Sequence, residues 1–328
     1  MGIILFFDSN PRLHKLRLQS DTLMKQHRIA VLIPCFNEEC TVAKVVADFR
    51  QELPLSTIYV FDNASTDRTA AVAIAAGAVV IPEPRRGKGY VVENMMGAVD
   101  ADYYVMVDGD DTYPAGKVHD LLAPVMAGRA DMAVGARLSD FREQSFRALH
   151  VTGNNLVRGL VNLIFGASLT DILSGYRAFN RRVTKRVPIV SSGFEVETEL
   201  TIKLLHHGLT MVEVQVPYGT RPEGSSSKLR TFHDGARVLW KIFSLFRAFK
   251  PLTFFGGIGL LLLLLGFFAG VPPILDYARM RFVEHVPLAI LASALALMAF
   301  GFTLTGILLH SINWRMRELH SVLVRQLT

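Results

Sequence analysis

Cysteine is nearly missing: Cys35 and Cys40 are the only two in 328 residues. A disulfide framework is therefore excluded, and a lone C-x4-C pair without histidines nearby does not make a metal site. No GxxxxGK[ST] loop and no GxGxxG fingerprint occur, which removes the Walker and dinucleotide-binding folds. No basic stripe interleaved with aromatics is present, so the excess of 35 Lys and Arg over 29 Asp and Glu is not a nucleic-acid signature. The opening "MGIILFF" lacks the charged start of a signal peptide. Residues 1–27 read as an N-terminal extension.

Charge is absent in two places. "PLTFFGGIGLLLLLLGFFAGVPPIL" lies between Lys250 and Asp276, and "VPLAILASALALMAFGFTLTGILL" between His285 and His310. Each exceeds the roughly 20 apolar residues that cross a bilayer core, so residues 251–310 are expected to form a transmembrane hairpin. Arg237, Lys241, Arg247 and Lys250 precede it, and Arg315, Arg317 and Arg325 follow; the connection offsets Arg279 and Arg281 with Asp276 and Glu284. The positive-inside rule then places both ends, including a tail at 311–328, in the cytoplasm of an integral plasma or inner membrane protein. A pI near 9.4 and mean hydropathy of +0.31 fit a chain held against anionic lipid. "TFHDGARVLWKIFSLFRAFK", within residues 230–250, mixes apolar and basic residues at helical period and reads as an amphipathic interface helix or, alternatively, a packing helix. Gly256, Gly257 and Gly259 permit close helix contact, which leaves room for a homo-oligomer.

The remaining 28–229 alternates strand and helix. "RIAVLIPC", "STIYVFD", "GAVVIPEP", "DYYVMV", "ADMAVGARL" and "LTMVEVQVPY" read as strands separated by helical segments, an α/β chain with a parallel sheet covered on both faces. Residues from about 146 to the last strand read as helical. Such sheets bind ligands beyond the carboxyl ends of their strands. Three strands end there in polar turns, "PCFNEE", "FDNASTD" and "VDGDD". Asp108 and Asp110 flank one glycine, a pair able to hold one hard divalent cation that keeps positions open for substrate phosphates. A D-x-D alone also occurs in helix caps and solvated turns.

The ordered set "VLIPCFNEE", "VFDNASTD", "GKG", "VDGDDTYP", "SGYRAF" resembles family 2 glycosyltransferases, specifically the polyprenyl-phosphate glycosyltransferases such as dolichyl-phosphate mannose synthase, over residues 28 to about 230. The resemblance implies a GT-A fold, Rossmann-like with a mostly parallel sheet. It also implies inverting transfer of a sugar from a UDP or GDP donor to a polyprenyl phosphate, undecaprenyl or dolichyl, with Mg2+ or Mn2+. It assigns Pro34, Phe36, Glu38 and Asp62 to the nucleoside, Lys88 to the donor, and Asp108 and Asp110 to the metal and diphosphate, Asp110 being counted catalytic. Arg137 falls near the acceptor phosphate. Ser174 and Arg177, and with them Asp171, fall on the acceptor side, Arg137 and Arg177 being counted catalytic. Arg221 and Lys228 lie in a loop resembling a clamp over the diphosphate, where the serines at 225–227 would let it close. Where the family often has Asp-Gly, this chain has Asn63 and Ala64, and Thr112 stands where a glutamine is common. A lipid phosphate is already an anion, so the site needs cations rather than a base. One of Glu197 and Glu199 faces either the sugar or solvent. Other expectations are a transferase using another acceptor, diacylglycerol or a polysaccharide, although no Q-x-x-R-W is present, or a catalytically silent membrane scaffold.

Overall fold

A computed structural model describes residues 27–137, 146–222 and 231–327, with the side chains of 146–154, 231–233 and 320–327 left aside. The chain divides into two units, residues 1–242 and 243–328. The break falls inside the helix Thr231–Phe249.

In the first unit seven strands form one sheet in the order β3-β2-β1-β4-β6-β5-β7. β1 (Ile29–Cys35), β2 (Thr57–Asp62), β3 (Val79–Pro82), β4 (Tyr103–Met106), β5 (Met132–Arg137) and β7 (Met211–Val216) run in one direction. β6 (Arg177–Asn180) alone is reversed, antiparallel to both β4 and β5. It was not anticipated: "RAFN" is too short to show a period, and a basic helix follows it directly.

Central β1 is apolar almost throughout because helices cover both its faces. Helix α1 (Val42–Glu52) buries Val42, Val45, Val46 and Phe49 at helical spacing. These residues join Val31 and Ile33 of β1 and Leu121, Leu122 and Val125 of α4 (Val118–Met126) in one core. Alternate strand residues such as Leu32 and Met106 turn to the other face, where α3 (Lys88–Ala98) contributes Val91, Val92 and Met95. Edge strand β3 is half exposed and ends in Pro82, which needs no donor there. The short α2 (Thr69–Ala75) follows β2, α5 (Phe146–Phe165) and α6 (Arg181–Arg186) flank β6, and α7 (Val196–His206) precedes β7. β1, β2 and β4 are adjacent and parallel, so their polar ends share one edge of the sheet, as the sequence implied.

α8 (Thr231–Phe249) runs through Lys250 into α9 (Pro251–Met280), which α10 (Val286–Leu327) follows. Both later helices are long and apolar enough to cross a membrane and expose leucine and phenylalanine along their length. Their packing on each other uses small residues. Gly259 faces Thr303 and Ala299 too closely for a Cβ, and Gly266 packs tightly on Ala292 and Leu295. Gly259, expected to permit an oligomer contact, is thus occupied within the chain. The tail expected at 311–328 continues α10 as unbroken helix to Leu327.

Candidate functional site

The shared edge collects carboxylates and holds them with cations. Asp108 and Asp110 follow β4. Lys88, the first residue of α3, lies 2.5 Å from Asp108 Oδ1 and 2.6 Å from Glu197 Oε1. Burial works against its charge, but the two carboxylates outweigh that and raise its pKa above the ordinary lysine value. Glu197 itself lies on α7 and is buried, so the solvated reading of this residue is corrected. Asp110 is buried too. Its Oδ2 lies 2.5 Å from Arg221 Nη2, and its Oδ1 accepts from Thr112 Oγ1 at 2.6 Å and Thr112 N at 3.2 Å. Thr112 therefore orients Asp110. Arg221 also reaches within 3.8 Å of Glu38. Asp111 turns away with φ 59° to meet Lys44 at 2.7 Å.

The Gly87–Lys88–Gly89 turn is seated on the backbone of residues 191–192. Gly89 N donates to Ser192 O at 3.1 Å, and a Cβ on Gly89 would run into the Ser191 carbonyl. Asn63 supports the turn from the other side: its Oδ1 accepts from Gly87 N at 2.8 Å and its Nδ2 donates to Arg85 O at 2.7 Å. Asn63 thus anchors this turn where the family often has an acid. Ala64 keeps a left-handed backbone at φ 55° at the position where the family often has glycine, which costs energy that glycine would not. Glu83, held down to about 2 by hydrogen bonds from Arg85, pins the same connection.

At the end of β2, Asp62 Oδ1 is buried without a hydrogen-bond partner, an acceptor aimed at a donor the protein does not supply. Pro34 and Phe36 are half-buried at the end of β1, and the Arg86 guanidinium lies 5.5 Å from the centre of the Phe36 ring.

The acceptor-side residues part company. Arg137, at the end of β5, is held by Asp171 through Nε at 2.7 Å and Nη2 at 2.9 Å, and its guanidinium lies over the Tyr218 ring. Asp171 is fixed in turn, its backbone N–H donating to Glu213 Oε1 at 2.9 Å. Glu213 escaped the sequence reading, although a carboxylate at an inward position of "MVEVQV" was the signal. Ser174 is fully buried, donating to Gly135 O at 2.6 Å. Arg177 is fully buried as well. Its Nε donates to Ser174 O at 3.0 Å, Nη1 to Thr201 Oγ1 at 3.0 Å, and Nη2 to Ile172 O at 2.8 Å and Glu197 O at 3.1 Å. A guanidinium so committed positions the 172–174 segment and α7, so Arg177, counted catalytic on the acceptor side by the resemblance, has its donors spent inside the protein. Arg177→Met would remove a donor from these four acceptors, of which Glu197 O keeps Thr201 Oγ1 at 2.9 Å, costing about 2–4 kcal/mol, and Arg177→Lys would not restore the fork geometry. Thermal unfolding of the full chain in micelles should show both variants well below the wild type. Lys228 and the serines at 225–227 lie outside the described residues.

Glu199 is buried and holds Lys203 and Lys241 rather than solvent or sugar. Burial opposes its charge, but hydrogen bonds from Lys203 and Ser191 hold its pKa down at about 2. The stabilisation this carboxylate brings is complete above the ordinary glutamate range and lost as pH falls toward 2.

Comparison with known proteins gives the family and the fold. The model of the glycosyl transferase family 2 matches residues 30–187. Glycosyltransferase AglJ of Haloferax volcanii is 34% identical over 232 residues, 70% of this chain and 76% of that protein. The dolichyl-phosphate hexose transferase of the same organism is 30% identical over 210 residues, 64% of this chain and 90% of that one. Among solved structures, glucosyl-3-phosphoglycerate synthase from Mycobacterium tuberculosis, in complex with Mn2+, UDP and phosphoglyceric acid, superposes with a TM-score of 0.59 at 22% identity, covering 75% of this chain and 86% of that one. That likeness establishes the GT-A fold.

Proposed function

The chain belongs to glycosyl transferase family 2, and from that premise we propose that it moves a sugar from a nucleotide donor to a polyprenyl phosphate at the cytoplasmic face of a membrane. The observation that carries this reading is the alternation of acid and base at the sheet edge: Glu197, Lys88 and Asp108 on one side, Asp110, Arg221 and Glu38 on the other. Such a set suits a reaction that must bring two phosphate-bearing anions together. The relative named for dolichyl phosphate and the two apolar helices point to a lipid acceptor.

In this reading Asp62 accepts an N–H of the base, and Pro34 and Phe36 border the nucleoside. Lys88, Arg221 and Lys228 meet the diphosphate, and Arg137, aimed by Asp171 and Tyr218, meets the acceptor phosphate. A phosphate oxygen of the lipid attacks the anomeric carbon. The bond from that carbon to the diphosphate oxygen breaks, the diphosphate leaves with the electron pair, and the configuration inverts. No protein base is needed, since the nucleophile is already an anion.

Asp108 and Asp110 fit a hard divalent cation, Mg2+ or Mn2+. Both offer carboxylate oxygens, and among the described residues no cluster of three His, Cys, Asp or Glu forms a full protein cage. Two carboxylates would leave the other positions of such an ion to water and substrate phosphates. When bound, such an ion neutralises charge developing on the leaving diphosphate.

Arg237, Arg247 and Lys250 before α9 and Arg315 and Arg317 within the later part of α10 support a cytoplasmic site. Full-length protein in bilayers, given Mn2+ or Mg2+, a panel of UDP and GDP sugars and undecaprenyl phosphate, should yield an acid-labile glycolipid visible by mass spectrometry. An acid-stable product would instead show an acceptor without a phosphate link, and failure with every donor would end the transferase reading.

A further inference from the structure

Glu199 occupies a place that sugar transfer itself does not call for. Its carboxylate is fully buried yet meets charge from two helices: Oε1 is 2.8 Å from Lys203 Nζ and 3.1 Å from Lys241 Nζ. Lys203 is local, one turn along α7, and its ammonium also donates to Pro188 O at 2.7 Å. Lys241 comes from α8. The other oxygen, Oε2, accepts from Ser191 N at 2.7 Å and Val190 N at 3.2 Å. One carboxylate thus ties α8 to the backbone at 190–191.

That backbone is the seat of the donor lysine. The carbonyls of Ser191 and Ser192 lie so close under Gly89 and Gly87 that neither glycine has room for a Cβ. Lys88 stands between those glycines, and its second carboxylate, Glu197, lies two residues before Glu199 on α7. Both supports of Lys88 therefore belong to the segment that Glu199 pins to α8. On α8, Val238 and Ile242 are buried, whereas Trp240 is largely exposed. Lys241 is only 19% exposed, so this cation, expected at the lipid headgroups, is spent inside the protein.

We propose that Glu199 and Lys241 are positioning residues that couple the placement of α8 to Lys88, and so set the affinity for the nucleoside diphosphate. The proposal rests on the reading that Lys88 meets the donor. It predicts a loss in binding rather than in turnover, because neither residue contacts Asp108 or Asp110. The two act through one contact, so their effects overlap instead of adding.

The test uses the full chain in phospholipid nanodiscs, with UDP and GDP, each with Mn2+, as calorimetric probes. Lys241→Met should weaken binding of whichever nucleotide the wild type prefers by about tenfold, the scale of coupling through residues remote from a ligand. It should raise the donor KM in step, with kcat within about twofold and the thermal midpoint close to wild type. Lys241→Arg should restore affinity. Glu199→Gln should weaken binding similarly, and the double variant no further. Wild-type affinity in Lys241→Met, or a fall in kcat with KM unchanged, would overturn the coupling alone. If the wild type bound neither nucleotide, the donor reading would fall and the coupling with it.

Discussion

Asp110→Asn lowers sugar transfer by about a thousandfold or more, with little change in thermal midpoint. The substitution keeps the shape of a buried side chain whose Oδ1 is held by Thr112, so the local turn survives. It removes the charge that pairs with Arg221 at 2.5 Å and that would hold the divalent ion. Arg221 then keeps Glu38 as its carboxylate neighbour, at 3.8 Å. Loss of a metal's stabilisation of a leaving group is worth several kcal/mol, and about 4 kcal/mol is roughly three decades in rate. Glu38→Gln, touching the longer contact, should cost far less, about tenfold. Turnover under saturating Mg2+ or Mn2+ and unfolding in the same micelles measure both. An Asp110→Asn enzyme with full turnover would remove the pair from the chemistry.

Lys88→Met is expected to damage stability and activity together, and a second substitution separates them. The ammonium lies between the carboxylates of Asp108 and Glu197, at 2.5 and 2.6 Å, with only 13% of its side chain exposed. Removing it leaves two negative groups facing each other with little water to screen them, a loss of about 3–5 kcal/mol. Lys88→Met with Glu197→Gln should recover most of that stability and none of the transfer, because the cation proposed to meet the diphosphate is still missing. The pH dependence has a defined sign. Burial depresses the Lys88 pKa, but the two carboxylates raise it further, so the net shift is upward. Its stabilisation is complete below the unfolded lysine value and disappears only as pH rises through the higher folded one. Thermal midpoints of the wild type should therefore show no loss from this group between neutrality and about pH 10. A midpoint that fell steeply near pH 8 would contradict the paired geometry.

The parallel strands and their acidic ends were legible because each strand carries its own apolar run and its own turn chemistry. β6 was not, since four residues give no period and its reversal depends on partners far away in the chain. The Asp108–Asp110 pair and Lys88 were legible as spacing and motif. What the site does with them was not. The Lys88–Glu197 contact joins positions more than a hundred residues apart, and no local pattern distinguishes Glu197 turned to a lysine from Glu197 turned to water. Arg177 shows the opposite error. A basic residue in a polar motif reads as an anion ligand, whereas three backbone carbonyls and one threonine absorb its donors. Burial decided that case, and burial is a property of the assembled sheet. Asn63 and Thr112 departed from the family pattern in sequence, and each proved to have its own structural work: one carries the lysine turn, the other aims Asp110.

The length of α10 has a mechanical outcome. At 1.5 Å per residue its 42 residues reach about 63 Å, roughly twice the thickness of a hydrocarbon core. If α10 crosses a bilayer, tilt cannot absorb that difference, and a stiff rod of some six turns stands clear of the lipid on one side. A fluorophore near Leu327 would therefore sit tens of ångströms from a quencher confined to the acyl chains, whereas one on a collapsed tail would be extinguished.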